Sequence, residues 1–331
     1  MLDLRITSDW TFRGLNAVVL ENRFLRVVCL PQLGGKIWQI THKPFDADLL
    51  WNNPRIAPAQ LPMNSRYDDV WCGGWDELFP NDEAATIEGE AYPDHGELWT
   101  GEWRARPFEK SGEIGVILSF LTPISSIQIE KIITLRVDQP LLHFRHKFTN
   151  FGGATFPFLW KLHPAFAVSP KHRIDFPAMK VVLDPAFAGT LGGAINPFDW
   201  PHARVGSMKV DLRRIPGIDE RQVYFFYGTG MKESWCALTN TETGLACGLH
   251  FDAQIFGSCW LFASYGGWRN YNVAVLEPCT GYPLNFEAMQ AAGRARSLAP
   301  GESLTTEVLF SVQENTHSVG KVHPDGTITA A

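Results

Sequence analysis

Frequent punctuation is the feature that most limits what this chain can fold into. Its 29 glycines and 22 prolines recur along all 331 residues instead of collecting in one linker. Uninterrupted segments are therefore short, which suits strands joined by turns and leaves little room for long helices. Within those segments the polarity alternates. Ile127, Ile129, Ile133, Leu135 and Val137 interleave with Gln128, Glu130, Thr134 and Arg136, and Leu142, Phe144, His146 and Phe148 interleave with His143, Arg145, Lys147 and Thr149. A period of two means one buried and one wet face. The second run ends at Asn150-Phe-Gly-Gly, a turn sequence, so the two read as antiparallel neighbours.

Further β-rich pieces occupy 17–30, 114–121, 223–227, 245–251, 259–265, 272–277 and 304–312, and one short helix is expected at 287–292. Strand follows strand with no βαβ alternation, which predicts an all-β chain, a large antiparallel sandwich without a Rossmann sheet. No linker or change of composition marks a boundary, so 1–331 reads as a single domain. Residues 51–106 are the exception to short connections. They carry Trp51, Trp71, Trp75, Trp99 and Trp103 with little strand pattern, and long irregular loops in compact domains are usually functional.

Charge and composition exclude several classes. Only 19% of residues are charged while 45% are hydrophobic, against roughly 25% charged in ordinary domains, so disorder is excluded. The formal charge of −6 and the absence of a basic block argue against nucleic acid as a partner. The start MLDLRITSDW has Asp3 and Arg5 where a secretion signal needs an apolar core, and no apolar stretch is long enough for a membrane span. A cytoplasmic location is expected. Six scattered cysteines with no CxxC pair then read as reduced, buried thiols. The ten histidines show neither HxxxH nor HxH spacing, so neither a metal nor a cofactor is expected.

Three segments place polar groups beside aromatics: Pro93-Asp-His-Gly-Glu-Leu-Trp99, Leu159-Trp-Lys-Leu-His-Pro-Ala-Phe166 and Val275-Leu-Glu-Pro-Cys-Thr-Gly-Tyr-Pro283. Their glycines and prolines predict strand ends or turns. His95 and His163 read either as hydrogen-bonded structural residues or as proton-transfer groups near neutral pH. Glu277 ends an apolar run and abuts Pro278; a buried carboxylate there is either a general base of raised pKa or an ion-paired structural group.

The order of these segments resembles the galactose mutarotase-like, or aldose 1-epimerase, superfamily over some 290 of the residues. Leu20 to Ile37 resembles its first strands with their Gly-Gly turn. Asp94-His-Gly followed by Trp99 and Trp103 resembles the segment of its first active-site histidine, and His163-Pro-Ala-Phe166 that of its second. Leu276-Glu277-Pro resembles the strand end carrying its glutamate, and Leu298-Ala-Pro-Gly-Glu302 its closing motif. Cys72-Gly-Gly-Trp-Asp-Glu-Leu-Phe-Pro80 departs from the galactose enzymes towards hexose-phosphate or uncharacterised branches.

The resemblance implies a β-supersandwich that exchanges the anomers of a sugar without a cofactor. Glu277 would be the base on O1, His163 the acid at the ring oxygen and His95 a donor to the sugar. Arg66 would also hold the sugar, with Trp75, Trp99 and Trp103 as flat platforms. Asp76 is a further binding candidate, and Asp219, ahead of Gln222-Val-Tyr-Phe, is a weak match for the family aspartate. Two rivals stand beside this reading: a non-catalytic sugar-binding protein on the same fold, and a glycan hydrolase or lyase using Asp76 with Glu277 as paired carboxylates.

Overall fold

The alternating run at 127–137 becomes the strand Ile127–Arg136, with every second side chain buried, and pairs antiparallel with Leu141–Asn150 through the short turn at 137–140. This computed structural model describes Leu4–Ala331. The described chain is all-β, with two α-helices of only four and six residues, Tyr67–Val70 and Phe286–Ala291, and four three-residue 3-10 turns. It falls into two compact units: residues up to His163 with Thr280–Val308, and Pro164–Cys279 with Leu309–Ala331.

In the first unit one antiparallel sheet runs through Leu4–Phe12, Leu15–Asn22, Leu25–Leu30 and Lys36–His42 to the short strand Trp75–Leu78. The stretch 17–30, read as one piece in the sequence, is a hairpin that turns at Arg23-Phe24. A second sheet runs through Arg104–Lys110, Glu113–Leu121, Ile127–Arg136 and Leu141–Asn150. Aromatic rings close the layer between them: Trp75 on Phe144 at 4.9 Å, Phe79 on Phe148 at 5.4 Å, and Trp103 stacked on Phe120 at 5.6 Å.

A buried ionic cluster crosses this layer. The Glu77 carboxylate meets His146 Nε2 and Lys131 Nζ at 3.0 Å each and accepts a bond from Trp160 Nε1 at 3.1 Å. Burial alone would raise the pKa of Glu77, but the charges of His146 and Lys131 outweigh it and hold the group ionised. Successive residues of a strand face opposite ways. Trp75 and Glu77 therefore point into the layer, and Asp76 points to the other side.

The second unit contains an antiparallel sheet of Lys180–Leu183, Gln222–Thr229, Ser258–Tyr265 and Asn272–Cys279. A second ladder joins His172–Asp175, Trp235–Asn240 and Leu245–Phe251. Its interior is filled by Phe226, Phe251, Phe256, Trp260 and Tyr265, all essentially inaccessible. The six cysteines are buried thiols outside any disulfide. No helix among the described residues is long and apolar enough to cross a membrane.

Candidate active site

The irregular stretch before Trp75 makes a single helical turn, Tyr67–Val70, that buries Tyr67. A carboxylate oxygen of Asp94 accepts the Tyr67 backbone N–H at 3.0 Å and fixes the start of that turn. Tyr67 is the centre of the site: the rings of His95, Trp99 and His163 all pack on it.

His95 is held by its backbone. Its φ is 63°, a left-handed conformation uncommon outside glycine, in which His is enriched along with Asn and Asp. The next residue, Gly96, also has positive φ, and a Cβ there would lie 2.0 Å from the carbonyl oxygen of Phe79. Only glycine fits that close approach. The His95 N–H donates to the Asp82 carbonyl at 2.6 Å, and the ring lies flat on Tyr67, 4.0 Å between centroids with 7° between planes. Nδ1 of His95 is 2.8 Å from Asp94 Oδ1. Burial opposes a charge on His95, but the Asp94 bond and the charges of Asp82 and Asp94 outweigh burial and the repulsion from Lys161, so its pKa is raised. The Asp94 carboxyl, despite its own burial, is held low by His95, the Tyr67 N–H and Arg66.

His163 has the opposite environment. Its side chain is 5% exposed, edge-on to Tyr67 and Trp71, and 6.3 Å from the His95 ring between centroids. Burial comes first, followed by repulsion from Lys161, His95 and Lys36, and together they push its pKa well below 6.5. Its Nδ1 lies 3.2 Å from Tyr67 Oη, and the same Oη is 2.8 Å from Asp76 Oδ2. A phenol has one proton to donate, and the carboxylate is the stronger acceptor. The proton on His163 then belongs on Nδ1, directed at the phenol oxygen, which leaves Nε2 with its lone pair.

Asp76 is fixed in turn by Lys36, whose Nζ is 2.6 Å from Oδ2 and also donates to the Gly73 carbonyl at 2.8 Å. Burial would strip the Lys36 proton, yet the charge of Asp76 prevails and its pKa is raised. Lys161 forms a second buried ion pair with Asp82. Among the described residues no group of three His, Cys, Asp or Glu side chains is arranged to hold a metal ion.

Of the residues singled out in the sequence, His95, His163, Asp76 and Trp99 meet around Tyr67. Trp99 is 3% exposed and donates Nε1 to the Asp94 carbonyl at 3.2 Å, so it braces the turn and offers no open face. Trp75 and Trp103 are each 2% exposed and belong to the layer between the sheets, where Trp103 also carries the Lys131 cation at 5.3 Å. Expecting both Trp75 and Asp76 at one site conflicts with strand alternation. Arg66 sits beside the site with its side chain 83% exposed, near Asp69. Glu277 is buried in the second unit on Asn272–Cys279, opposite Trp260. Asp219 is exposed in that unit, in the short 3-10 turn Ile218–Glu220.

The flanking prolines predict strand ends or turns at His163 and Glu277, but both lie within strands, Lys161–Ala167 and Asn272–Cys279. Proline's fixed φ is compatible with extended backbone, so Pro164 and Pro278 do not end their strands. Sequence alone does not single out Tyr67, Lys36, Asp94, Lys161 or Asp82 as site residues. The only local signal was the Gly34-Gly35 turn before Lys36 and the Asp94-His95-Gly96 tripeptide itself.

No protein-family model matches the sequence. Among solved structures, a "putative aldose 1-epimerase" from Klebsiella pneumoniae superposes with a TM-score of 0.74 at 13% identity, covering 94% of this chain and 84% of the other. A galactose mutarotase-like protein from Clostridium acetobutylicum gives 0.66 at 12% identity, over 94% and 99%. A galactose mutarotase related enzyme from Lactobacillus acidophilus gives 0.61 at 14% identity, over 90% and 98%. By its strand architecture and by these superpositions, the chain has the galactose mutarotase-like fold.

Proposed function

We propose that the protein interconverts the α and β anomers of a reducing sugar or sugar derivative by cofactor-free acid–base catalysis, as an aldose 1-epimerase-like isomerase. The observation that carries this reading is the pair of histidines beside Tyr67, whose surroundings drive their pKa values in opposite directions. Two titratable groups tuned apart are the usual signature of an acid and a base sharing one task. Anomeric exchange needs just that. A base removes the O1 proton, the C1–O5 bond breaks as C1=O1 forms, and an acid protonates O5. Rotation about C1–C2 and the reverse steps give the other anomer.

In this proposal His95 begins with both ring protons and donates one towards O5. His163 begins neutral, with Nε2 open to receive the O1 proton. The resemblance assigns His163 as the acid instead; burial and three neighbouring cations argue for the base role. The resemblance gives the O1 proton to Glu277 instead of His163, and Glu277→Gln tests that alternative base. Buried thiols outside any disulfide support a reducing, cytoplasmic setting.

The test is exchange NMR on a panel of free and phosphorylated aldoses with the purified chain. Acceleration of α/β exchange for at least one sugar supports the isomerase. Sugars that bind while exchanging at the buffer rate would instead establish a non-catalytic carbohydrate-binding protein.

A further inference from the structure

The outer face of the second sheet of the first unit holds a groove of about 430 Å³, a volume typical of small-ligand sites. Strand register explains how it is built. Arg106, Ile117, Ile132 and Arg145 form one row across four adjacent strands. Neighbouring strands lie about 4.8 Å apart, so the two arginine backbones are separated by about 14 Å. Ile117 and Ile132 between them are outward-facing and only partly covered. The adjacent row begins with Phe108 opposite Gly115, where a Cβ would lie 2.4 Å from the Phe108 ring. Glycine there lets the ring lie across the strand and extend the apolar floor.

The other charges lining the groove are matched. Glu113 takes Lys110 at 3.5 Å and also Arg136 at 3.7 Å, and His143 faces Glu307 at 3.2 Å. Arg106 and Arg145 have no carboxylate within ion-pair distance among the described residues, and both are exposed. In a chain of net charge −6, this face presents two unmatched guanidinium groups flanking an apolar strip. Guanidinium forks are suited to carboxylate and phosphate, and the apolar strip between them suits the C–H face of a sugar ring, which a bare phosphate lacks.

We propose that this groove is a second carbohydrate site, separate from the Tyr67 cluster, which binds an acidic oligosaccharide bearing carboxylates. Arg106 and Arg145 grip its charges, and Ile117, Ile132 and Phe108 support its rings. The test is calorimetric titration of the full chain with a uronic-acid trisaccharide, its neutral counterpart and inorganic tripolyphosphate, at low and high salt. The uronate should bind and the neutral sugar should not. The double variant R106S/R145S should lose about tenfold or more in affinity, since charge-assisted hydrogen bonds are the strong contacts of such a face. Ile132→Thr, which keeps a β-branched residue in the strand, should weaken binding severalfold. The melting temperature of each variant reports that it is folded. The proposal is overturned by absence of uronate binding, by equal binding of tripolyphosphate, or by unchanged affinity in the double variant. Self-association of the wild type that the double variant abolishes would also overturn it, because the face would then belong to a second copy.

Discussion

The imidazole of His95 lies flat on the phenol ring of Tyr67, 4.0 Å away, and the hydroxyl of that phenol stands 3.2 Å from Nδ1 of His163. One tyrosine therefore holds the ring of one histidine by its face and the tautomer of the other by its oxygen. Tyr67→Phe separates these roles. The stack remains, while the Asp76 and His163 contacts are lost. We expect a modest loss of stability, about 1 kcal/mol for a net hydrogen bond, with kcat reduced more than KM. Nitrogen-15 shifts of His163 should show its proton redistributed between Nδ1 and Nε2. An unchanged tautomer would remove Tyr67 from this role.

Asp76 and Lys36 are 1% and 3% exposed and face each other at 2.6 Å. Breaking a buried pair leaves an uncompensated charge, which costs about 3–5 kcal/mol. Lys36→Met and Asp76→Asn should each destabilise by that order in urea titrations. The double variant should recover part of the loss. Additive losses would mean that the two side chains do not act as a pair.

The two histidines predict opposite pH dependences of stability. The folded pKa of His95 is raised, so its contribution is complete below about 6.5 and is lost as pH rises through its folded value. The folded pKa of His163 is depressed, so its contribution is present above about 6.5 and is lost as pH falls towards that value. Denaturation midpoints between pH 5 and 9 should flatten on the alkaline side in His95→Gln and on the acid side in His163→Gln. The reverse pattern would exchange their charge states.

Trp103→Ala should behave as a core deletion, costing about 3–5 kcal/mol, because its ring is stacked on Phe120 and lies beneath Lys131. Sugar affinity in the folded fraction should be unchanged. A selective loss of sugar binding at normal stability would restore the platform role that the sequence implied.

Much of the fold is legible in the sequence where one face of a strand is wet. Ile127–Arg136 and Leu141–Asn150 announce themselves by alternation. Trp235–Asn240 does not, since it is buried along nearly its whole length and has no period to detect. Leu4–Phe12 is hidden by exposure and by a register shift between Thr7 and Trp10. At the site, His95 and His163 carry family-like neighbours, so resemblance finds them. Tyr67 has no such signal: it sits in a one-turn helix, and its importance lies in contacts with residues distant in sequence. The opposed pKa shifts depend on Lys161, Lys36, Asp82 and Asp94 converging in space, which no local spacing encodes.

Whether the histidine pair moves protons on a sugar is decided by the α/β exchange rate of the best sugar on wild type, His163→Gln and Glu277→Gln, measured with affinity and melting temperature on the same samples. Loss of one proton-transfer group should lower the rate by about 10²–10⁴ while binding and folding persist. Near-normal turnover in folded Glu277→Gln would remove the glutamate inferred by resemblance and leave the histidine pair standing. Near-normal turnover in folded His163→Gln would show that the histidine pair does not carry the proton transfer.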